Sequence, residues 1–237
     1  MKPLDPTGHG HGPRFLRRSA ALVILVAAVS LGTQPALPGD AVKAGPPSVT
    51  AGRVRPLDLV KPSVSQVLAA AQSRPSGRGE SVQRRAEIRR VAAGLFDFKE
   101  MARLSLSRHW SAQSPREQEE FVGLFTELLE RSFLSTIENY AGERITFLGE
   151  SIDGAYAQVR SRITTDRRME ISIDYRLIER TDRWEVYDVV LDGVSLVSNY
   201  RSQFNSIIRT SSFSDLLSRM RNKQIEAHVI PRVGRGS

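Results

Sequence analysis

The chain of 237 residues contains no cysteine and only four histidines. The missing thiol excludes disulfides, thiolate zinc sites, cysteine nucleophiles and a lipid-modified N-terminal cysteine. Of the histidines, only His109 falls in the expected folded body; His9 and His11 sit in a Gly-rich stretch near the start. One histidine without a His or Cys neighbour cannot build the usual zinc site, and none is expected. Beyond residue 40 no apolar run reaches 18 residues, so the body holds no spanning helix of the usual length. No phosphate-cradling glycine loop and no dinucleotide fingerprint occurs. What is present is an ordinary globular mix, 40% hydrophobic and 25% charged, which is too apolar for general disorder and sufficient for a buried core.

The formal charge is +8. Residues 1–39 hold Lys2, Arg14, Arg17 and Arg18 against Asp5, a net of +3, which leaves +5 for the rest. Those arginines are scattered, often beside acids. That is the pattern of a solvated surface rather than of a nucleic-acid patch, so no nucleic-acid partner is expected. A modestly basic surface also suits anionic lipid head groups.

The start of the chain reads as an address. Arg14, Arg17 and Arg18 precede an apolar run from Ala20 to Leu31, followed by small residues and prolines. A basic region, a short apolar run and small residues make a secretory signal peptide. An uncleaved anchor is the alternative, since no clean small-x-small site stands out within residues 32–44. The resulting division is a leader over residues 1–39, a Pro/Gly-rich linker over 40–56, a folded domain over 57–225 and a flexible tail over 226–237.

Within the body, Leu59, Val60, Val64, Val67, Leu68 and Ala71 mark a helix over residues 58–72, with Pro62 near its start. Residues 73–79 read as a turn. Ile88, Val91 and Ala92 mark a second helix over 83–93. Asp97 with Glu100 three residues on is a capping signal, and Phe96 can staple onto Met101. Ser114, Pro115 and Glu117 open a long helix in which Phe121, Phe125, Leu128, Leu129, Phe133, Ile137 and Tyr140 recur at steps of three and four, with Gly142 to end it. The period then changes to two across 143–153, 155–165, 169–180 and 184–191, with short turns between. Such connections leave no room for crossover helices, so the four strands form an antiparallel meander. Helical spacing returns at Val197, Tyr200, Phe204, Ile207 and Ile208, and a last helix covers 213–223. Helices, then strands, then helices define an α+β class.

Catalytic signals are sparse. The segment Gly193-Val194-Ser195-Leu196-Val197 lacks the second glycine of a nucleophile elbow, and Ser195 reads better as a helix cap. Asp153, Asp174, Asp188 and Asp192 sit among strands and turns, with nothing to select a general acid pair. Asp188 stands out because its strand is apolar; pairing with a neighbouring arginine is the plainer reading. The surplus is instead apolar: one broad helix face and one sheet face, which either bury each other or surround a cavity.

Several segments together resemble one family. Phe96-Asp97-Phe98-Lys99-Glu100-Met101-Ala102-Arg103-Leu104, running on to Arg108-His109-Trp110, is similar to the FDF-x-x-MARL…RHW segment of the MlaC (toluene-tolerance, Ttg2-type) family. The long-helix start from Ser114 to Phe121 follows in order. Then come Trp184, Val186-Tyr187-Asp188-Val189, Gly193-Val194-Ser195-Leu196-Val197 and Asn199-Tyr200-Arg201-Ser202-Gln203-Phe204, which match its later motifs nearly letter for letter. The resemblance spans roughly residues 57–223; the Gly/Arg-rich loop over 74–81 and the long leader depart from it. It implies a periplasmic phospholipid carrier, not an enzyme, with no cofactor. The implied partners are an inner-membrane ABC transporter complex with its membrane-anchored substrate-binding ring, and an outer-membrane lipoprotein–porin complex. The implied fold is a curved four-stranded antiparallel sheet of the nuclear-transport-factor type, wrapped by helices around a deep apolar pocket. A hopanoid-associated branch of the family leaves the carried lipid open. A cone-fold enzyme using Asp188 with Tyr187, or an adaptor without ligand, are the rival readings.

Periodicity together with this resemblance places Val159, Ile171, Ile173 and Tyr175 on the pocket side of the sheet. It places Phe125, Leu128, Leu129 and Phe133 on the pocket side of the long helix. Met101, Leu104, Val194, Val197 and Tyr200 would close the site. Arg201 is expected to meet a partner, a head group or a surface acid.

Overall fold

A computed structural model describes residues 54–73, 77–138, 142–165, 169–181 and 183–225. The leader, nearly all of the linker, Tyr140 and the tail from residue 226 lie outside the described residues. Helix α1 (Pro56–Gln72) starts with proline at its first position, where a missing N–H loses no helical bond. Arg55 before it supplies no capping side chain. The cap comes from far along the chain: Glu150 accepts the Leu57 backbone N–H at 2.7 Å and Arg55 Nε at 2.7 Å. Helix α2 (Arg78–Leu95) buries Ile88, Val91, Ala92 and Leu95, a single helical stripe. It begins five residues before the position expected from periodicity. Gly77 is its N-cap, so Gly79 and Ser81 fall in the first turn, and Ser81 Oγ donates back to the Gly77 carbonyl.

Helix α3 (Phe98–Leu106) has the expected cap, with Asp97 accepting the Glu100 N–H at 2.8 Å. A 3₁₀ turn, Ser107–His109, follows. Helix α4 (Pro115–Glu138) opens with a reciprocal box: Ser114 N–H and Oγ–H donate to Glu117, and the Glu117 N–H returns to Ser114 Oγ. Its 24 residues span about 36 Å.

The sheet runs in chain order, antiparallel throughout: β1 (Arg144–Asp153), β2 (Tyr156–Thr164), β3 (Glu170–Arg180), β4 (Arg183–Leu191) and β5 (Val194–Ser195). Five strands replace the expected four. The fifth has two residues, too few to show an alternation before the helical spacing starts; Val194 pairs Leu191 and Ser195 pairs Val190. Asp192 and Gly193, both at positive φ, make the tight turn between β4 and β5. Two bulges curl the sheet: Leu148 is the extra residue between Phe147 and Gly149, and Tyr187 the extra residue opposite Arg176 and Leu177. Helix α5 (Leu196–Thr210) follows, capped by Ser195, and α6 (Phe213–Arg221) is capped by Ser212.

Apolar packing forms three clusters, the smallest being Val67, Ile88, Val91, Leu134 and Ile137 of α1, α2 and α4. Helices α3 to α6 enclose a helical core around Phe121, Phe125, Tyr200 and Phe204, with Phe125 and Tyr200 ring centroids 5.4 Å apart. A second core joins α1 to the inner sheet face through Val60, Val159, Leu177, Trp184 and Val186. The Phe96–Asp97 segment lies along the outer edge of β4, where the Asp97 N–H donates to the Val186 carbonyl at 2.9 Å, and Arg180 clasps the Asp97 carboxylate at 3.1 Å. That contact covers a strand edge that would otherwise stay open.

Candidate functional site

Between α1, α2, the C-terminal half of α4 and the inner sheet face lies a cavity of about 250 Å³. Ile145, Ile163, Ile171, Ile173, Val189 and Leu191 form its floor. Val64, Val67 and Leu68 come from α1; Ile88, Val91, Ala92 and Leu95 from α2; Leu129, Phe133, Leu134 and Ile137 from α4. Phe96, Phe98, Met101 and Leu196 close one end.

Polar groups in this lining are few and already partnered. Ser63 and Thr136 hydroxyls donate to carbonyls one turn back, Leu59 and Ser132. Arg89 Nε lies 3.0 Å from Glu130 Oε2, an ion pair between α2 and α4. Burial pushes the Tyr175 phenol up to about 12, against a smaller opposite pull from its hydrogen bond to Ser161. Tyr175 therefore stays neutral across the physiological range. Such a wall favours apolar matter displacing water.

Six of the residues expected at a pocket line this cavity: Met101, Leu129, Phe133, Ile171, Ile173 and Tyr175. Seven are placed elsewhere. Phe125, Leu128, Val197 and Tyr200 are buried in the helical core, and Leu104 packs half-buried against it. Val159 is fully buried in the core beneath α1. Val194 sits half-buried on β5. For Phe125 and Leu128 the cause is that α4 serves two environments. Its N-terminal half packs on α3, α5 and α6, and only its C-terminal half reaches the cavity. Periodicity separates inward from outward positions but cannot tell a solid core from a cavity. The whole α2 contribution was missed, although its stripe of Ile88, Val91 and Ala92 needed a surface to cover.

The residues weighed for chemistry have structural duties. Buried Asp188 accepts Ser195 Oγ–H at 2.6 Å, the Val197 N–H at 3.1 Å and Arg176 Nη1 at 3.2 Å. It therefore helps cap α5 and carries the expected arginine pair. Ser195 also accepts the Ser198 N–H, as expected of a cap. Tyr187, whose phenol partial burial holds above its ordinary value, lies outside the cavity lining with Asp188. His109 Nε2 is 3.0 Å from Asn205 Oδ1. Arg201 Nε donates to the Leu104 carbonyl at the end of α3.

A curled antiparallel sheet closed by helices over an apolar-lined cavity defines an α+β pocket protein whose interior suits an apolar ligand. The family model described as MlaC protein matches residues 61–222, and the chain belongs to that family. The intermembrane phospholipid transport system binding protein MlaC of Haemophilus influenzae is 22% identical over 120 residues, 48% of this chain and 56% of that protein. The chain thus spans about half the length of the curated relative it matches. A phospholipid-binding protein from Ralstonia solanacearum, solved in complex with a phospholipid, has the same fold, with a TM-score of 0.65 and 23% identity over 73% of this chain and 99% of that one.

Proposed function

We propose that the protein binds phospholipid by its acyl chains in this cavity and carries it through the periplasm between inner- and outer-membrane complexes of the Mla type. The observation that carries the reading is the cavity wall: predominantly apolar, with its few polar and charged groups partnered within the protein. Each acyl methylene that enters the cavity gains about 0.8 kcal/mol on leaving water. A carrier must nearly match the bilayer, and only a dry cavity does so. Transfer from one apolar medium to another then changes free energy little and runs in either direction. Direction must come from the membrane complexes. The basic, apolar start of the chain supports export to the periplasm.

The enzyme reading is weaker, because Asp188 and Tyr187 do not line the cavity and Asp188 is committed to the α5 cap. The test is mass spectrometry of organic extracts from mature protein purified from a periplasm without detergent. Stoichiometric phospholipid is the expected result. Hopanoid instead would move the protein to the other branch of ligands. Empty protein that also takes nothing from phospholipid vesicles would defeat the carrier reading.

A further inference from the structure

Arg89 of α2 and Glu130 of α4 are the charged members of the described cavity lining, and they meet directly as an ion pair at 3.0 Å. Their side chains are 51% and 24% exposed, so the pair sits where the cavity meets solvent. A half-exposed pair of this kind adds little to stability. Its placement matters more. A lipid whose chains fill the apolar interior must leave its phosphate at such a boundary.

We infer that Arg89 is the residue that contacts the lipid phosphate, and that Glu130 is the counter-ion occupying it when no lipid is bound. This rests on the phospholipid reading above and adds the head-group contact to it. Arginine offers five N–H donors in a planar fork that matches phosphate oxygens two at a time. The ion pair with Glu130 is made through Nε. Neighbouring Arg90 pairs with Glu87 on its own helix, and Arg84 donates to the Ser73 carbonyl, so neither lies at the cavity. A phosphate arriving beside Glu130 meets a like charge, and Arg89 must be shared or released. Glu130 therefore opposes the anionic ligand while Arg89 attracts it. The two residues act in opposite senses, which a simple latch between α2 and α4 would not produce.

The experiment measures calorimetric binding to delipidated protein of two soluble probes, dioctanoyl phosphatidylglycerol and dioctanoylglycerol. Their chains are the same, and only the first carries phosphate. Arg89→Gln is expected to weaken phosphatidylglycerol binding about tenfold, and Glu130→Gln to strengthen it several-fold. Either variant should shift dioctanoylglycerol binding far less than phosphatidylglycerol binding. Arg89→Lys should recover part of the loss. If the two Gln variants shift both lipids in the same direction, the pair is a latch and the phosphate contact is wrong. No effect of either variant on either lipid is equally fatal to it. If the wild-type protein binds neither probe, the cavity reading itself fails, and this inference with it. Circular dichroism of each variant guards against misfolding.

Discussion

Two phenylalanines on one helix illustrate what a single side chain decides here. Phe125 is fully buried among aromatic rings, whereas Phe133, two turns on, is half-buried and lines the cavity. Phe125→Ala leaves a void in a packed core, and should cost about 3–5 kcal/mol in a denaturation midpoint experiment. Phe133→Ala enlarges a space that already exists; it should cost less stability but lower the phospholipid retained through purification. The two tyrosines carry their own signatures. Tyr200 Oη is buried without a hydrogen-bond partner among the described residues, so Tyr200→Phe should leave stability unchanged or raise it by about 1 kcal/mol. Tyr175 is neutral in both states below pH 10. Between about 10 and 12 the unfolded chain releases the proton while the folded chain keeps it, so stability falls as pH rises through that window. Thermal melts at pH 9 and pH 11 should show that fall, and Tyr175→Phe should lessen it. None of these distinctions was legible in the sequence, where Phe125, Phe133, Tyr175 and Tyr200 all read as inward and apolar.

Elements were far more legible than the walls between them. Period-two alternation placed β1 to β4 within a residue or two of their ends, and the Asp97, Ser114 and Ser195 caps are present. Local rules worked where the stabilising partner is local. They failed where it is distant. Nothing near Arg55 reveals that α1 is capped by Glu150 of β1, because the pairing depends on the sheet lying beneath the helix. Glu150→Ala removes both the carboxylate on the Leu57 N–H and the Arg55 pair. The expected loss is about 1 kcal/mol, at the scale of a helix cap, with the partly exposed ion pair adding little. Chemical denaturation would read it. A loss near zero would mean that water satisfies the α1 N-terminus equally well. Asp188 and α5 repeat the device on the other side of the sheet, but there the carboxylate is buried and hydrogen-bonded by three groups. Asp188→Ala should therefore cost more than Glu150→Ala in the same experiment.

At the scale of the molecule, the division of the packing into separate cores has a dynamic consequence. Helices α3 to α6 bury their faces against one another, a solid core that owes nothing to a ligand. Helices α1 and α2 instead turn Val64, Val67, Leu68, Ile88, Val91 and Ala92 toward the cavity, where Val67, Ile88 and Val91 also pack with Leu134 and Ile137 of α4. On the proposed reading, a cavity emptied of lipid would deprive those side chains of dispersion partners and loosen the wall. Filling it restores them and stabilises the folded state by mass action. Local opening should therefore depend on lipid in one half of the molecule and not in the other. Hydrogen exchange on loaded and delipidated protein is the direct measurement. Amides of Pro56–Gln72 and Arg78–Leu95 are expected to exchange at least about tenfold faster without lipid, a difference near 1.4 kcal/mol in opening free energy. Amides of α5 should be unchanged, and those of β3 nearly so, since its outer bonds to β2 and β4 persist. Uniform acceleration across both halves would show one cooperative unit, in which lipid acts on global stability. Acceleration confined to α1 and α2 would identify them as the wall that moves aside for lipid to enter and leave.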